Sequence, residues 1–152
     1  MIRRAVLALL LVLAALQPAL AREQLPPPTV GRGDDRWGGH TIERHVGKSD
    51  EELRARLARD SRLNTASAWD SAEIAAQVID GTLAQHAGEL LPWLARAPPG
   101  NRRVIDYRGR ERIGRTIRAD DPRKVVPLTN ARLVIEALGQ GRWRLITAYP
   151  NF

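Results

Sequence analysis

The chain contains no cysteine. Disulfide scaffolds, thiolate zinc sites, iron–sulfur clusters and thiol nucleophiles are excluded together. Histidine is scarce: His40, His45 and His86 are the three present, too few for a His-rich metal site. Lysine occurs only at Lys48 and Lys124, so 22 of the 24 basic residues are arginine, planar forks suited to phosphate rather than point charges. Long apolar runs are absent except for Ala5 to Leu16, twelve residues, where a spanning helix needs ~20. That run follows Arg3-Arg4 and leads to Gln17-Pro18 and the small residues Ala19 and Ala21, the three-part pattern of a secretory signal peptide. Cleavage after Ala21 is expected, leaving no membrane span and a secreted or periplasmic protein. The 131 residues that remain carry 22 basic and 17 acidic side chains, a net charge of +5. That length suits one domain with a real core.

Residues 22–38 hold Pro26-Pro27-Pro28, Gly31, Gly33 and Gly38 without periodicity, which predicts a flexible, extended tether with few contacts. The domain proper is expected over 39–152. Thr41 to Val46 suits a helical turn or two ended by Gly47. Ser49-Asp50-Glu51-Glu52 is a capping box that starts a helix to about Asp60. A polar stretch through Asn64 and Ser67 leads to a second start at Trp69-Asp70-Ser71. The following helix carries an Ile74, Val78, Ile79, Leu83 stripe to about Ala87, with Gly88 as its terminator and a short helix from Leu90 to Leu94. Beyond Gly100 the period falls toward two. Val104–Tyr107, Arg112–Arg118, Val125-Val126, Leu133–Ile135 and Trp143–Tyr149 read as strands, with turns at Asn130 and Gly139-Gln140-Gly141. Helices first and short-linked strands second predict an α+β fold, N-terminal helices packed on a C-terminal antiparallel sheet.

His40 and His45 stand five residues apart, ~140° around a helix of 3.6 residues per turn, so they do not form the two-His face of a metalloprotease helix. No cofactor or metal is expected. His86 falls near a helix C-terminus, where the dipole favours a cation, and receives no functional role. On the last strand, even alternation places Trp143, Leu145, Thr147 and Tyr149 on one face and Arg144, Ile146 and Ala148 on the other. Thr147 and Tyr149 then present two hydroxyls about 6–7 Å apart, with the Tyr149 ring beside Leu145.

These residues, taken together, resemble a known family. Gly38-Gly39-His40, His45-Val46-Gly47-Lys48, the capped helix with Arg56-Leu57, Thr65–Asp70 and the closing Thr147-Ala148-Tyr149-Pro150 are similar to the bacterial RNase A-like domains. Those are the C-terminal toxin domains of contact-dependent growth inhibition, CdiA-type, proteins. The resemblance spans residues 38 to 152. It implies an RNase A-like fold and a metal-independent ribonuclease. Such an enzyme cleaves RNA, tRNA included, by 2′-OH attack that leaves a 2′,3′-cyclic phosphate, in the setting of a secreted antibacterial toxin. It implies His45 as the catalytic histidine, Arg56 as phosphate clamp, Thr147 and Tyr149 as donors to the phosphate or proton-transfer groups, and His40 as a second acid–base candidate. RNA is the implied partner, with a cognate immunity protein as the second. The competing reading is a non-catalytic basic protein that binds nucleic acid or an anionic surface in the periplasm.

Overall fold

The computed structural model describes residues 23–152, and the expected leader, residues 1–21, lies outside them. Helices begin where side chains satisfy the first free amides. The short α1 (Thr41–His45) gets no such bond from its own cap residue, His40. Asp35 substitutes: its carboxylate accepts from the amides of Thr41 at 2.8 Å and Ile42 at 3.2 Å. At α2 (Asp50–Arg59) the capping box forms as expected, Ser49 Oγ accepting from the Glu52 amide at 3.2 Å and Glu52 from the Ser49 amide at 2.7 Å. Ser71 caps α3 (Ala72–Gln85) through the Ile74 amide. Gly88, expected to stop that helix, lies inside α4 (Ala87–Arg96) instead. It lacks the positive φ that a glycine stop uses, and the break falls two residues earlier at His86, which caps both helices.

The strands are β1 (Thr65–Trp69), β2 (Arg102–Arg108), β3 (Gly114–Arg118), β4 (Val125–Leu128), β5 (Asn130–Gly139) and β6 (Arg142–Asn151). They make two antiparallel three-stranded sheets, β1-β3-β4 and β2-β5-β6, so the α+β class holds while the single expected sheet divides in two. β1 was not legible as a strand. Thr65 to Trp69 pairs in register with Arg118 to Gly114, and this pairing buries the small residues Ala66, Ser67 and Ala68, so tertiary context overrides weak local propensity. Asn130, expected in a turn, opens β5, and Thr129 alone carries the chain from one sheet to the other. The turn at Gly139-Gln140-Gly141 stands as expected, all three residues at positive φ.

The larger core lies between α3 and α4 and the β2-β5-β6 sheet, with Ile79, Leu83, Leu90, Leu94, Leu133 and Leu145 at its centre. A smaller one joins Leu53 and Leu57 of α2 to Ala66, Ala68 and Ile117 of the other sheet. Burying five such aliphatic side chains is worth roughly 1.5–3 kcal/mol for each large one. Trp69 ties the sheets together, its indole N–H donating to the Ala148 carbonyl of β6 at 3.2 Å. No helix among the described residues is long and apolar enough to cross a membrane.

The stretch read as a tether makes more contacts than its composition suggests. Thr29 N donates to Trp143 O at 2.8 Å and Leu145 N to Trp37 O at 2.7 Å. The Trp143 indole donates to Pro26 O at 2.8 Å, and the Trp37 indole to Asp80 at 3.0 Å. Trp37 itself is 3% exposed. The open edge of β6 needs partners for its outward amides and carbonyls, and this segment supplies them.

Candidate active site

A break in the alternation of β6 sets the geometry. Leu145 pairs with Ile135, whereas Thr147 pairs with Val134, so Ile146 is an extra residue with no partner. A β-bulge of this kind exchanges the faces of a strand and re-aims its side chains. Trp143 and Leu145 face the core before the bulge and Ala148 does so after it. Thr147 and Tyr149, expected on the Trp143–Leu145 face, are half-buried and line a separate cavity with Ile146. Tyr149, expected beside Leu145, has its ring 5.6 Å from that of His45.

The bulge is braced by the chain entering α1. Any Cβ on Gly39 would collide with the carbonyl oxygens of Leu145 and Ile146, so only glycine permits this approach. Two residues on, Thr41 Oγ1 accepts from the Ala148 amide at 2.8 Å. The first turn of α1 is therefore locked to the strand bearing the hydroxyl pair, and His45 leaves the end of that same helix.

The cavity, of about 450 Å³, is lined by all five side chains singled out from the sequence: His40, His45, Arg56, Thr147 and Tyr149. β1 closes its floor with Thr65, Ala66 and Ser67, and Arg44 joins its wall. His45 is the most enclosed of the five, 7% exposed. Its Nδ1 lies 3.3 Å from the Ser67 carbonyl. A carbonyl can only accept, so Nδ1 carries the proton in this contact and Nε2 keeps its lone pair. Burial pushes the His45 pKa down to about 4; the Ser67 contact opposes this, and Arg56, Arg44 and Lys48 lower it further. At neutral pH the ring is an uncharged base in a cationic wall.

Arg56 is half-buried on α2 and has no ion-pair partner among the described residues. The junction that sets it against His45 is pinned by Arg115 of β3, which donates to the Lys48 carbonyl at 2.6 Å and to Asp50 at 2.7 Å. His40 stands exposed at the rim with Nδ1 3.3 Å from the Glu43 carboxylate. His86 is remote from the cavity and lies 3.9 Å from Glu89. Among the described residues, no group of three or more His, Cys, Asp or Glu side chains is arranged to hold a metal ion. The arrangement offers a neutral imidazole, a free guanidinium and two hydroxyls around one opening, a set able to take a proton and stabilise an anionic phosphorus centre.

Three contributors were missed in the sequence. Ser67 acts through its carbonyl, which no side-chain pattern reveals. Asp35 had a signal, an acid a few residues ahead of a helix start, but it lies in the stretch read as a tether. Arg44 was one arginine among many.

The Bacterial CdiA-CT RNAse A domain family matches residues 39–150. The chain is also similar to a solved structure described as the crystal structure of a CdiA-CT/CdiI complex from Y. kristensenii. The two share 28% identity at a TM-score of 0.65, over 75% of this chain and 100% of that one. A search of curated proteins returns no significant match. Most of the described chain, including the elements that carry His45, Arg56, Thr147 and Tyr149, falls inside the matched range, and the protein belongs to the bacterial CdiA-CT RNAse A domain family.

Proposed function

We propose that this protein is a metal-independent endoribonuclease that cleaves RNA by transphosphorylation and acts as an antibacterial toxin, exported by the leader expected at residues 1–21. The observation that carries the reading is His45, neutral at physiological pH and held with Nε2 free, in the same cavity as an uncompensated Arg56.

In this mechanism Nε2 of His45 takes the proton of a ribose 2′-OH as O2′ bonds to phosphorus. Arg56 forks onto two phosphoryl oxygens and stabilises the charge that builds there. The P–O5′ bond breaks, and O5′ takes a proton from His40 or Tyr149. The products are a 2′,3′-cyclic phosphate and a free 5′-OH. Thr147 donates to a phosphoryl oxygen. A base of pKa about 4 is weak; burial is the main cause and the nearby cations add to it, and a bound anionic phosphate offsets the cationic part. A chain named with its immunity partner among similar structures supports a cognate inhibitor protein here too.

The test is incubation with total RNA and with single-stranded DNA, each with and without EDTA. RNA alone should be cut, and EDTA should change little, since only RNA has the internal nucleophile. His45→Ala should lose about two to four orders of magnitude, the usual share of general acid–base catalysis, while His86→Ala stays near wild type. Melting curves on both variants separate lost chemistry from lost fold. Folded, fully active His45→Ala protein, or binding of RNA without cleavage, overturns the proposal.

A further inference from the structure

We infer that the groove between α1 and α2 is a second phosphate subsite, which makes the substrate a polynucleotide held over at least two consecutive phosphates. The inference rests on the ribonuclease reading and extends it along the strand.

The groove, of about 490 Å³, is lined by Arg44, Lys48, Arg56 and Arg59, with Leu53 and Ala55 among the apolar residues of its lining. Arg44 and Arg56 also line the active-site cavity, so the two openings share a wall and a bound strand can pass from one to the other. Glu52 is the one acid in the lining, and its carboxylate is engaged by the Ser49 amide. The other acids around α2 are paired away from the groove: Asp50 with Arg115, Glu51 with Arg54, and Asp60 with Arg62. None of the four groove cations has an ion-pair partner among the described residues. Arg59 makes a single bond, from Nε to the Ala55 carbonyl one turn back at 3.3 Å, which leaves its terminal nitrogens available.

A surface that pairs its acids and leaves four neighbouring cations unpaired is built for an anion from outside. Arg56 and Arg59 are three residues apart on one helix, so their Cβ atoms lie about 5–6 Å from each other on the same face. A phosphate beside His45 meets Arg56, and the next one along the chain meets Arg59 and Lys48. Arginine suits this task because its fork takes two phosphate oxygens.

The experiment compares kcat/KM for a dinucleoside monophosphate, with one phosphate, and for a tetraribonucleotide. It adds fluorescence-anisotropy binding of an all-deoxy tetranucleotide, which has no 2′-OH and cannot be cut by this route. The tetranucleotide should be the better substrate, and its advantage over the dinucleoside should shrink roughly three- to tenfold in Arg59→Ala and partly return in Arg59→Lys. The salt slope for the deoxy ligand should fall by about 0.7 for each phosphate contact removed. Exposed Arg59 on a helix tolerates alanine without loss of fold. A length preference and salt slope unchanged by Arg59→Ala, and by the Lys48→Ala/Arg59→Ala pair, overturn the subsite and leave these cations to a different partner such as an acidic protein surface. RNA left uncut while deoxy binding still depends on Arg59 upholds the groove and sinks the ribonuclease reading instead.

Discussion

The rings of His45 and Tyr149 lie 5.6 Å apart and are tilted by 33°, which brings the end of the first helix against the last strand. The two are far apart in sequence, so only the tertiary fold brings them together. The phenol can reach a phosphate or a leaving oxygen only because the Ile146 bulge has turned it away from the core.

Tyr149→Phe keeps the ring and removes the hydroxyl. Cleavage should fall by about ten- to a hundredfold if the phenol donates to the phosphate or the leaving group, and the melting temperature should stay within a few degrees. A variant with unchanged cleavage would reduce Tyr149 to a packing partner of His45.

His45 also links stability to pH. Its pKa is about 4 in the folded protein, against 6.5 for an ordinary histidine. Between those values the unfolded chain binds a proton that the folded one does not, so stability present above pH 6.5 is lost as pH falls toward 4. The loss is about 3 kcal/mol when complete. Urea titrations at pH 7 and pH 4 should show it, and His45→Asn should diminish the difference between the two. In kinetics the acid limb of kcat/KM, which reports the free protein, should sit well below pH 6.

Arg56→Lys keeps a positive charge and loses the fork. We expect kcat/KM to fall about ten- to a hundredfold, with the acid limb of the pH profile nearly unmoved. Arg56→Gln removes the charge as well, so the His45 limb should shift upward, because Arg56 is one of the groups that depress it. An unshifted limb in Arg56→Gln would contradict the electrostatic coupling.

Asp35 accepts from the amides of Trp37, Gly39, Thr41 and Ile42 at 3.1, 3.3, 2.8 and 3.2 Å. Asp35→Ala leaves these donors without a protein acceptor and frees the start of α1. A loss of roughly 1–3 kcal/mol is expected, read from the urea midpoint, with Asp35→Asn recovering part of it. Wild-type stability in Asp35→Ala would mean that water caps the helix as well as the carboxylate does.

Local signals carried much of this molecule. The capping box at Ser49, the Ser71 start, the late strands and the double-glycine hairpin turn are encoded by neighbours in sequence, and each appears where those neighbours place it. The five candidate residues that share the cavity were legible because two histidines, an arginine and two hydroxyls match a known pattern. The rest depends on distant pairing. β1 is a strand because β3 lies beside it, not because Thr65–Trp69 favours one. The bulge at Ile146 has no local signature, since Leu145-Ile146-Thr147 is ordinary strand sequence. It is met by the backbone of Gly39 and by the Thr41 hydroxyl, which accepts from the Ala148 amide, from more than a hundred residues earlier in the chain. The helix break falls at His86 rather than Gly88, and nothing local marks His86 as the stop.

Trp37 sits in a stretch with neither helix nor strand, yet its ring is in the main core with Trp69 and Trp143. A segment of that composition looks free to peel away on its own. With its indole buried in that core, releasing the stretch uncovers core side chains, so its unfolding is expected to be coupled to that of the domain. Of the four indoles, Trp37, Trp69 and Trp143 are buried and Trp93 is half-buried at the margin of the same core, so the change in emission on unfolding should come mainly from the three buried rings meeting water together.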